Sequence, residues 1–120
     1  MGLGIDIVDI TRISNEENFA NFILSDKEKE IYLTKGIKKI EFLAGRFAAK
    51  EAFLKANHKG LGEIPLKEIE VLYGEEGNPI IVYNNKVYEE VSISHDANIA
   101  IASVLILWFH VRLSALNSLI

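Results

Sequence analysis

The sequence predicts an α+β domain in which an antiparallel sheet packs on one long helix. Apolar residues recur at helical spacing, without an intervening proline, through residues 37–58. Segments with period-two alternation lie on both sides of this helix, and short turns rich in Gly, Asn and Pro separate them. A helix on an antiparallel sheet is the architecture that this order of elements favours.

The segment 3–10, L-G-I-D-I-V-D-I, predicts the first strand. Leu3, Ile5 and Ile7 recur at every second position, which is the period of a strand with one packed face, and Asp6 points away from them. Aspartate is disfavoured inside a strand on propensity grounds. Its position between two isoleucines is therefore unusual.

Three helices are expected in all. Ser14 and Ser25 are each followed three residues later by a glutamate, a capping pattern that starts short helices over 15–22 and 26–33. We expect both to be connectors more than core. The long helix should end at the residues Lys59-Gly60.

Two hairpins should follow the long helix. In the first, residues 74–78 form the turn before the apolar segment 79–82; in the second, residues 95–98 join segments 91–94 and 99–104. Asn84-Asn85 marks a further turn. The apolar run 99–109 is too short to cross a bilayer of about 30 Å as a helix, and it reads as a buried strand.

The composition fits one domain over residues 1–120, with 49% hydrophobic and 25% charged residues. The absence of cysteine excludes disulfide frameworks, zinc–thiolate sites, iron–sulfur clusters and thiol nucleophiles. The net charge of −4 and the interleaved acids and bases argue against a nucleic-acid surface. The first residues carry no export pattern, so we expect a cytoplasmic protein with no membrane contact.

Glu51 is the most informative residue of the long helix. It lies about 40° from Phe47 around the helix, inside the stripe expected to face the core. A buried carboxylate needs a partner, and on periodicity alone a metal ion and an ion pair with Lys55 are equally good candidates. The second misplaced acid, Asp6, favours the metal, because magnesium typically takes one or two protein carboxylates together with water and phosphate oxygens. Arg46, Lys50 and Lys55 flank Glu51 at successive turns, which suits a polyphosphate ligand.

Three motifs resemble those of holo-[acyl-carrier-protein] synthases, which are phosphopantetheinyl transferases. They are G-I-D-I at 4–7 with Arg12, F-A-A-K-E-A-F-L-K-A at 47–56, and S-I-S-H-D at 92–96. The resemblance implies the fold of this family and magnesium-dependent transfer of phosphopantetheine from coenzyme A to a serine of an acyl carrier protein, as in fatty acid biosynthesis. It leaves 3′,5′-ADP as the second product.

The resemblance also implies roles for individual residues. Asp6 and Glu51 correspond to the metal ligands, and Lys55 to a catalytic lysine near the phosphates. Arg46 and His95 correspond to residues that approach the nucleotide phosphates of coenzyme A, although His95 could instead be a plain turn residue. Arg12 corresponds to a contact with an acidic helix of the carrier protein, and without the family context a solvated surface arginine is the simpler reading. The base that takes the serine proton is either a metal-bound water or an acid such as Asp6.

Two expectations concern assembly and the chain end. Members of this family are usually trimers with the cofactor cleft between adjacent subunits, so we expect a homotrimer. Residues 105–120 are more apolar than the short polar ending of the family and read as a divergent tail. Two other functions are considered. Another magnesium-dependent phosphoryl or nucleotidyl transferase would use the same two acids, and a binding module without turnover is suggested by the tail alone.

Overall fold

The computed structural model describes residues 1–108 and 111–113. Strand β1 (Gly2–Asp9) leads through a short 3₁₀ turn (Ile10–Arg12) into the helices, which are α1 (Glu16–Ile23), α2 (Asp26–Tyr32) and the long α3 (Lys39–Ala56). The other strands are β2 (Glu70–Tyr73), β3 (Pro79–Tyr83), β4 (Lys86–Tyr88), β5 (Val91–Asp96), β6 (Ile99–Ile106) and β7 (Arg112–Leu113). The predicted fold class is confirmed.

The strands form two antiparallel sheets instead of the single sheet expected. One has the order β1-β6-β5, and the other has the order β2-β3-β4-β7. The sequence prediction missed β4, which has only three residues and is too short to display an alternation. Asn84 and Asn85, both with positive φ, form the two-residue turn that precedes it.

Strand β1 packs its glycine face against α3, and its apolar face is exposed. A Cβ atom on Gly4 would lie 1.8 Å from the carbonyl oxygen of Ala52, so only glycine permits this approach. Leu3, Ile5 and Ile7 remain 58–71% exposed. The expectation that the apolar residues of this strand mark its packed face is wrong, because close contact between backbones selects the smallest residues.

Helices α1 and α2 belong to the core, contrary to the expectation that they are mainly connectors. Ala20, Ile23, Leu24 and Tyr32 are buried in the main hydrophobic cluster. The α1 cap is Asn15, whose side chain accepts from the backbone N–H of Asn18, and not Ser14. The capping box of α2 is confirmed.

Helix α3 ends two residues before the predicted end of the helix. Asn57 is its C-cap, and His58, with φ of 58°, takes the left-handed conformation that terminates it. At the other end of the fold, β6 extends through Leu105 and Ile106, so the expected tail begins inside the sheet. Residues 109–110 and 114–120 of that tail lie outside the described part of the chain. Within the described part, no helix is long and apolar enough to span a membrane.

Candidate active site

Asp6, Glu51 and Lys55 come together where β1 crosses α3. Asp6 shares the inner face of β1 with the glycines, so its carboxylate points toward the helix. The Lys55 ammonium donates to Oδ1 of Asp6 at 3.0 Å and to the carbonyl oxygen of Ile5 at 3.0 Å. The Lys55 side chain is 52% exposed and that of Asp6 14%, so the pair lies at the protein surface. The structure therefore places three of the predicted site residues in one group.

Glu51 is electrostatically coupled to Asp6. Burial raises the pKa of the half-buried Glu51 carboxyl, the negative charge of Asp6 raises it further, and Lys55 opposes both effects. Among the ion pairs of the described residues, Lys55 pairs with Asp6 across the two elements and not with Glu51 inside the helix. The intrahelical pair considered from the sequence is therefore not the one that forms.

Glu51 does not lie on α3 where the sequence predicted it, in a stripe that faces the core. The helix is buried on nearly all sides, because both sheets and the two shorter helices surround it. Phe47 and Glu51 lie on its half-buried side, so Glu51 does not interrupt the core. The prediction that Glu51 lies in the stripe of α3 that faces the core is therefore wrong, although Glu51 does face Asp6.

A cleft of about 620 Å³ begins at Ile7, the residue that follows Asp6, and its lining includes none of the three residues of this group. Phe47 lines it from α3, one helical turn before Glu51, and Phe19 contacts the Phe47 ring edge-on at 5.1 Å. Arg12 is part of the rim. The wall also includes the end of β1 and residues 13–15, 18 and 22. Phe47 packs against the main hydrophobic cluster, as predicted, and it also lines the cleft. Its spacing of four residues from Glu51 was the available signal for the second position.

Arg46 and Lys50, the other two cations expected to flank Glu51, do not face it. Lys50 is completely buried and pairs with Glu28 on α2. Arg46 is only 5% exposed, and its guanidinium lies 4.1 Å from the ring centre of Phe42 and 5.0 Å from that of Tyr73. Burial lowers the pKa of Arg46. Of the three cations expected to flank Glu51, only Lys55 does so, since Arg46 lies about 140° around the helix from Glu51 and Lys50 about 100°.

His95 lies in strand β5 and not in the turn that follows it. Its Nε2 donates to the carbonyl oxygen of Glu41 at 3.0 Å, and its Nδ1 lies 3.5 Å from a carboxylate oxygen of the same residue. Glu41 precedes Glu51 by ten residues, or about 15 Å along the helix. Within one chain, His95 and Arg46 are therefore separate from the Asp6 group.

Nε and Nη2 of Arg46 are buried and have no hydrogen-bond partner among the described residues. Buried donors of this kind are rare, because leaving a charged group without partners costs free energy. The contacts with the two aromatic rings offset part of this cost.

Comparisons with known proteins show the family to which the chain belongs. Residues 2–103 match the family profile described as the 4′-phosphopantetheinyl transferase superfamily. The chain belongs to that superfamily, and the expected enzyme class, a phosphopantetheinyl transferase, is confirmed.

Within the superfamily, the similar proteins are holo-[acyl-carrier-protein] synthases. The protein of that name from Geobacillus sp. is 44% identical over 113 residues, which cover 88% of this chain and 95% of the relative. The solved structure of the Bacillus anthracis synthase in complex with coenzyme A (3′,5′-ADP) has a TM-score of 0.76 and 39% identity, over 86% of this chain and 92% of that one. The solved structure of the Helicobacter pylori synthase in complex with coenzyme A has a TM-score of 0.74 and 31% identity, over 88% of this chain and 99% of that one.

Proposed function

We propose that this chain transfers the 4′-phosphopantetheine group of coenzyme A to a serine of apo acyl carrier protein. The serine hydroxyl gives its proton to a base such as Asp6, and its oxygen forms a bond to the β-phosphorus of coenzyme A. The bond from that phosphorus to the bridging oxygen breaks, and 3′,5′-ADP leaves with that oxygen. The observation that carries the proposal is the meeting of Asp6, Glu51 and Lys55 beside a cleft, in a member of this superfamily. Two similar proteins were solved with coenzyme A, which supports coenzyme A as the donor.

The residues of the Asp6 group fit a magnesium ion. The charge of Asp6 contributes to the raised pKa of Glu51, and a cation between the two carboxylates would offset this repulsion. Among the described residues no group of three or more His, Cys, Asp or Glu side chains could hold a metal, so Asp6 and Glu51 would leave coordination positions for water and phosphate oxygens. Bound magnesium would supply Lewis-acid neutralisation of the charge on the pyrophosphate oxygens. Lys55 places a second positive charge at the same point, within reach of the donor's phosphates.

The proposal includes a homotrimer with a shared cofactor site. The outer face of the β1-β6-β5 sheet is apolar and open, with Leu3, Ile5 and Ile7 next to the partly exposed Ile99 and Ile101. An exposed apolar patch of this kind is typical of an interface. In such a trimer Asp6 and Glu51 of one subunit would hold the pyrophosphate, and the neighbouring subunit would supply some of the nucleotide contacts. Sedimentation equilibrium measures the subunit number, and Ile5→Glu should shift it to one.

The experiment that tests the function uses the purified chain, apo carrier proteins and coenzyme A. Mass spectrometry should show the added phosphopantetheine on the carrier, with an equal amount of 3′,5′-ADP released. A chelator should stop the reaction, and added magnesium should restore it. Binding of coenzyme A without transfer to any of several apo carriers would contradict the proposal. The proposal also includes a cytoplasmic location, which cell fractionation would measure.

Arg12 is proposed to contact the acidic carrier protein at the rim of the cleft. We expect Arg12→Glu to raise the KM for the carrier about tenfold or more, with little change in the KM for coenzyme A. The difference from wild type should shrink as salt screens the contact. Steady-state kinetics at two ionic strengths measure both effects. The control is Lys27→Glu, the same change of charge at an exposed position of α2; an equal effect there would contradict a specific contact.

The pH dependence of the metal-free protein follows from the raised pKa of Glu51. The folded protein binds the Glu51 proton more tightly than the unfolded chain does. Protonation of Glu51 therefore adds to the free energy of unfolding at a pH below 4.5, the ordinary pKa of the group. This contribution is lost as the pH rises through the raised pKa. Transfer should change in the opposite direction, because a protonated Glu51 does not bind a cation. Asp6→Asn should move the pKa of Glu51 back toward 4.5, which an NMR titration of the Glu51 carboxyl carbon would measure; an unchanged pKa would show that the two acids are not coupled.

A further inference from the structure

A buried ion pair ties α1 and α2 to the helix that carries Glu51. Nζ of Lys50 lies 2.7 Å from Oε1 of Glu28, and both side chains are completely buried. The same Nζ donates to the carbonyl oxygen of Ile23 and, at 2.9 Å, to that of Leu66. All three N–H donors of the ammonium group therefore have an acceptor.

The Glu28 carboxylate is also fully engaged. Its Oε1 accepts from the backbone N–H of Ser25 at 3.0 Å, and its Oε2 accepts from that of Val71 at 3.0 Å. Burial lowers the pKa of Lys50, and the charge of Glu28 opposes this effect. Because any displacement would leave a buried charge without partners, this set of contacts specifies one arrangement of the surrounding elements.

One of these contacts bears on the wall of the cleft. Ile23 is the last residue of α1, where carbonyl oxygens have no partner inside the helix and where a positive charge is favourable. A helix of eight residues is not stable alone, so tertiary contacts decide where α1 lies. Phe19 packs on Phe47 on the cleft side, and Lys50 holds the C-terminal end.

We propose that Lys50 and Glu28 are positioning residues that hold the α1 wall of the cleft in the place needed to bind the carrier protein. The inference rests on the proposed function, since it takes the carrier protein as the occupant of the cleft. Lys50 directly precedes Glu51, and its side chain projects about 100° away from that of Glu51. The same turn of α3 therefore contacts the end of α1 through Lys50 and carries the Glu51 carboxylate on another side. Both side chains are completely buried, so they affect carrier binding only through the position of α1.

The test uses the double variant E28Q/K50M. Lys50→Met alone leaves the Glu28 carboxylate buried without a counter-charge and is expected to unfold the chain. The double variant removes both charges and keeps an acceptor for the Ser25 N–H. The control K27M/E30Q makes the same residue changes at exposed positions of α2. E28M/K50M, which replaces both charged groups with apolar side chains of similar length, is the second variant, and it decides the question if E28Q/K50M does not fold.

We expect the double variant to raise the KM for the apo carrier about tenfold, with kcat and the KM for coenzyme A nearly unchanged. Amide hydrogen exchange should become faster in α1 and stay slow in β1 and α3. E28M/K50M should also raise the KM for the carrier without raising that for coenzyme A, and K27M/E30Q should match wild type.

Two results would overturn the positioning role. One is an equal rise of both KM values; the other is an unchanged KM for the carrier together with a lower thermal midpoint, which is the pattern of a pair that serves stability only. Wild-type protein that transfers nothing contradicts the proposed function instead. In that case hydrogen exchange in α1 still decides whether the pair holds this helix.

Discussion

Glu51→Gln should reduce phosphopantetheine transfer by at least about 10³-fold while the protein stays folded. The amide has nearly the same shape as the carboxyl but no charge, so one of the two proposed metal ligands loses its affinity for the cation. Folding should not suffer, because the charge removed is one that burial and Asp6 already make unfavourable. Transfer kinetics, magnesium binding by calorimetry and a thermal melt measure the three effects.

The matched control is Glu30→Gln, which makes the same change at an exposed position of α2. It should leave transfer, magnesium binding and the melting temperature unchanged. Full transfer by Glu51→Gln would count against the metal assignment. A loss of transfer with unaltered magnesium affinity would point to a role for Glu51 other than ligation.

Gly4→Ala should have the largest effect on stability. The added methyl group would lie 1.8 Å from the carbonyl oxygen of Ala52, and the atom in conflict is backbone in the middle of α3, which cannot rotate away. We expect a loss of about 3 kcal/mol or more in the free energy of unfolding, as for severe overpacking of a core. Urea denaturation measures it.

Gly60→Ala provides the comparison. The nearest atom to a Cβ there is a carboxylate oxygen of Glu63 at 3.7 Å, an ordinary contact with a flexible side chain. Its effect should stay within about 0.5 kcal/mol. Equal unfolding midpoints for the two variants would mean that β1 and α3 can separate slightly at little cost, which would contradict the account of this interface.

The sequence predicted the elements whose pattern is local. The long helix, the hairpin from β2 to β3 and the pairing of β5 with β6 were correct, since helical spacing and turn residues lie within a few positions of one another. The burial of α1 and α2 was not predictable in this way. It depends on contacts between residues far apart in the chain, such as Lys50 with Glu28 and Tyr32 with Glu16.

The candidate site was predictable only as far as local sequence patterns identify it. Two acids in unusual positions pointed to Asp6 and Glu51, and the structure brings both to one place together with Lys55. Lys50 and Arg46 share the helix with Glu51 but project to other sides, and only the three-dimensional arrangement shows that. The apolar residues of β1 misled the assignment of its packed face, because alternation identifies two faces without telling which one is inside.

The burial of α3 on nearly all sides has a consequence for how this enzyme can move. A helix enclosed in this way exchanges its backbone amides only when the whole domain opens, so the amides at Glu51 and Lys55 should be among the slowest in the chain. During turnover, the reacting groups can then adjust through side-chain rotation alone. Adaptation to carriers of different shape then falls to exposed side chains at the rim of the cleft, because α1 is itself held by Lys50.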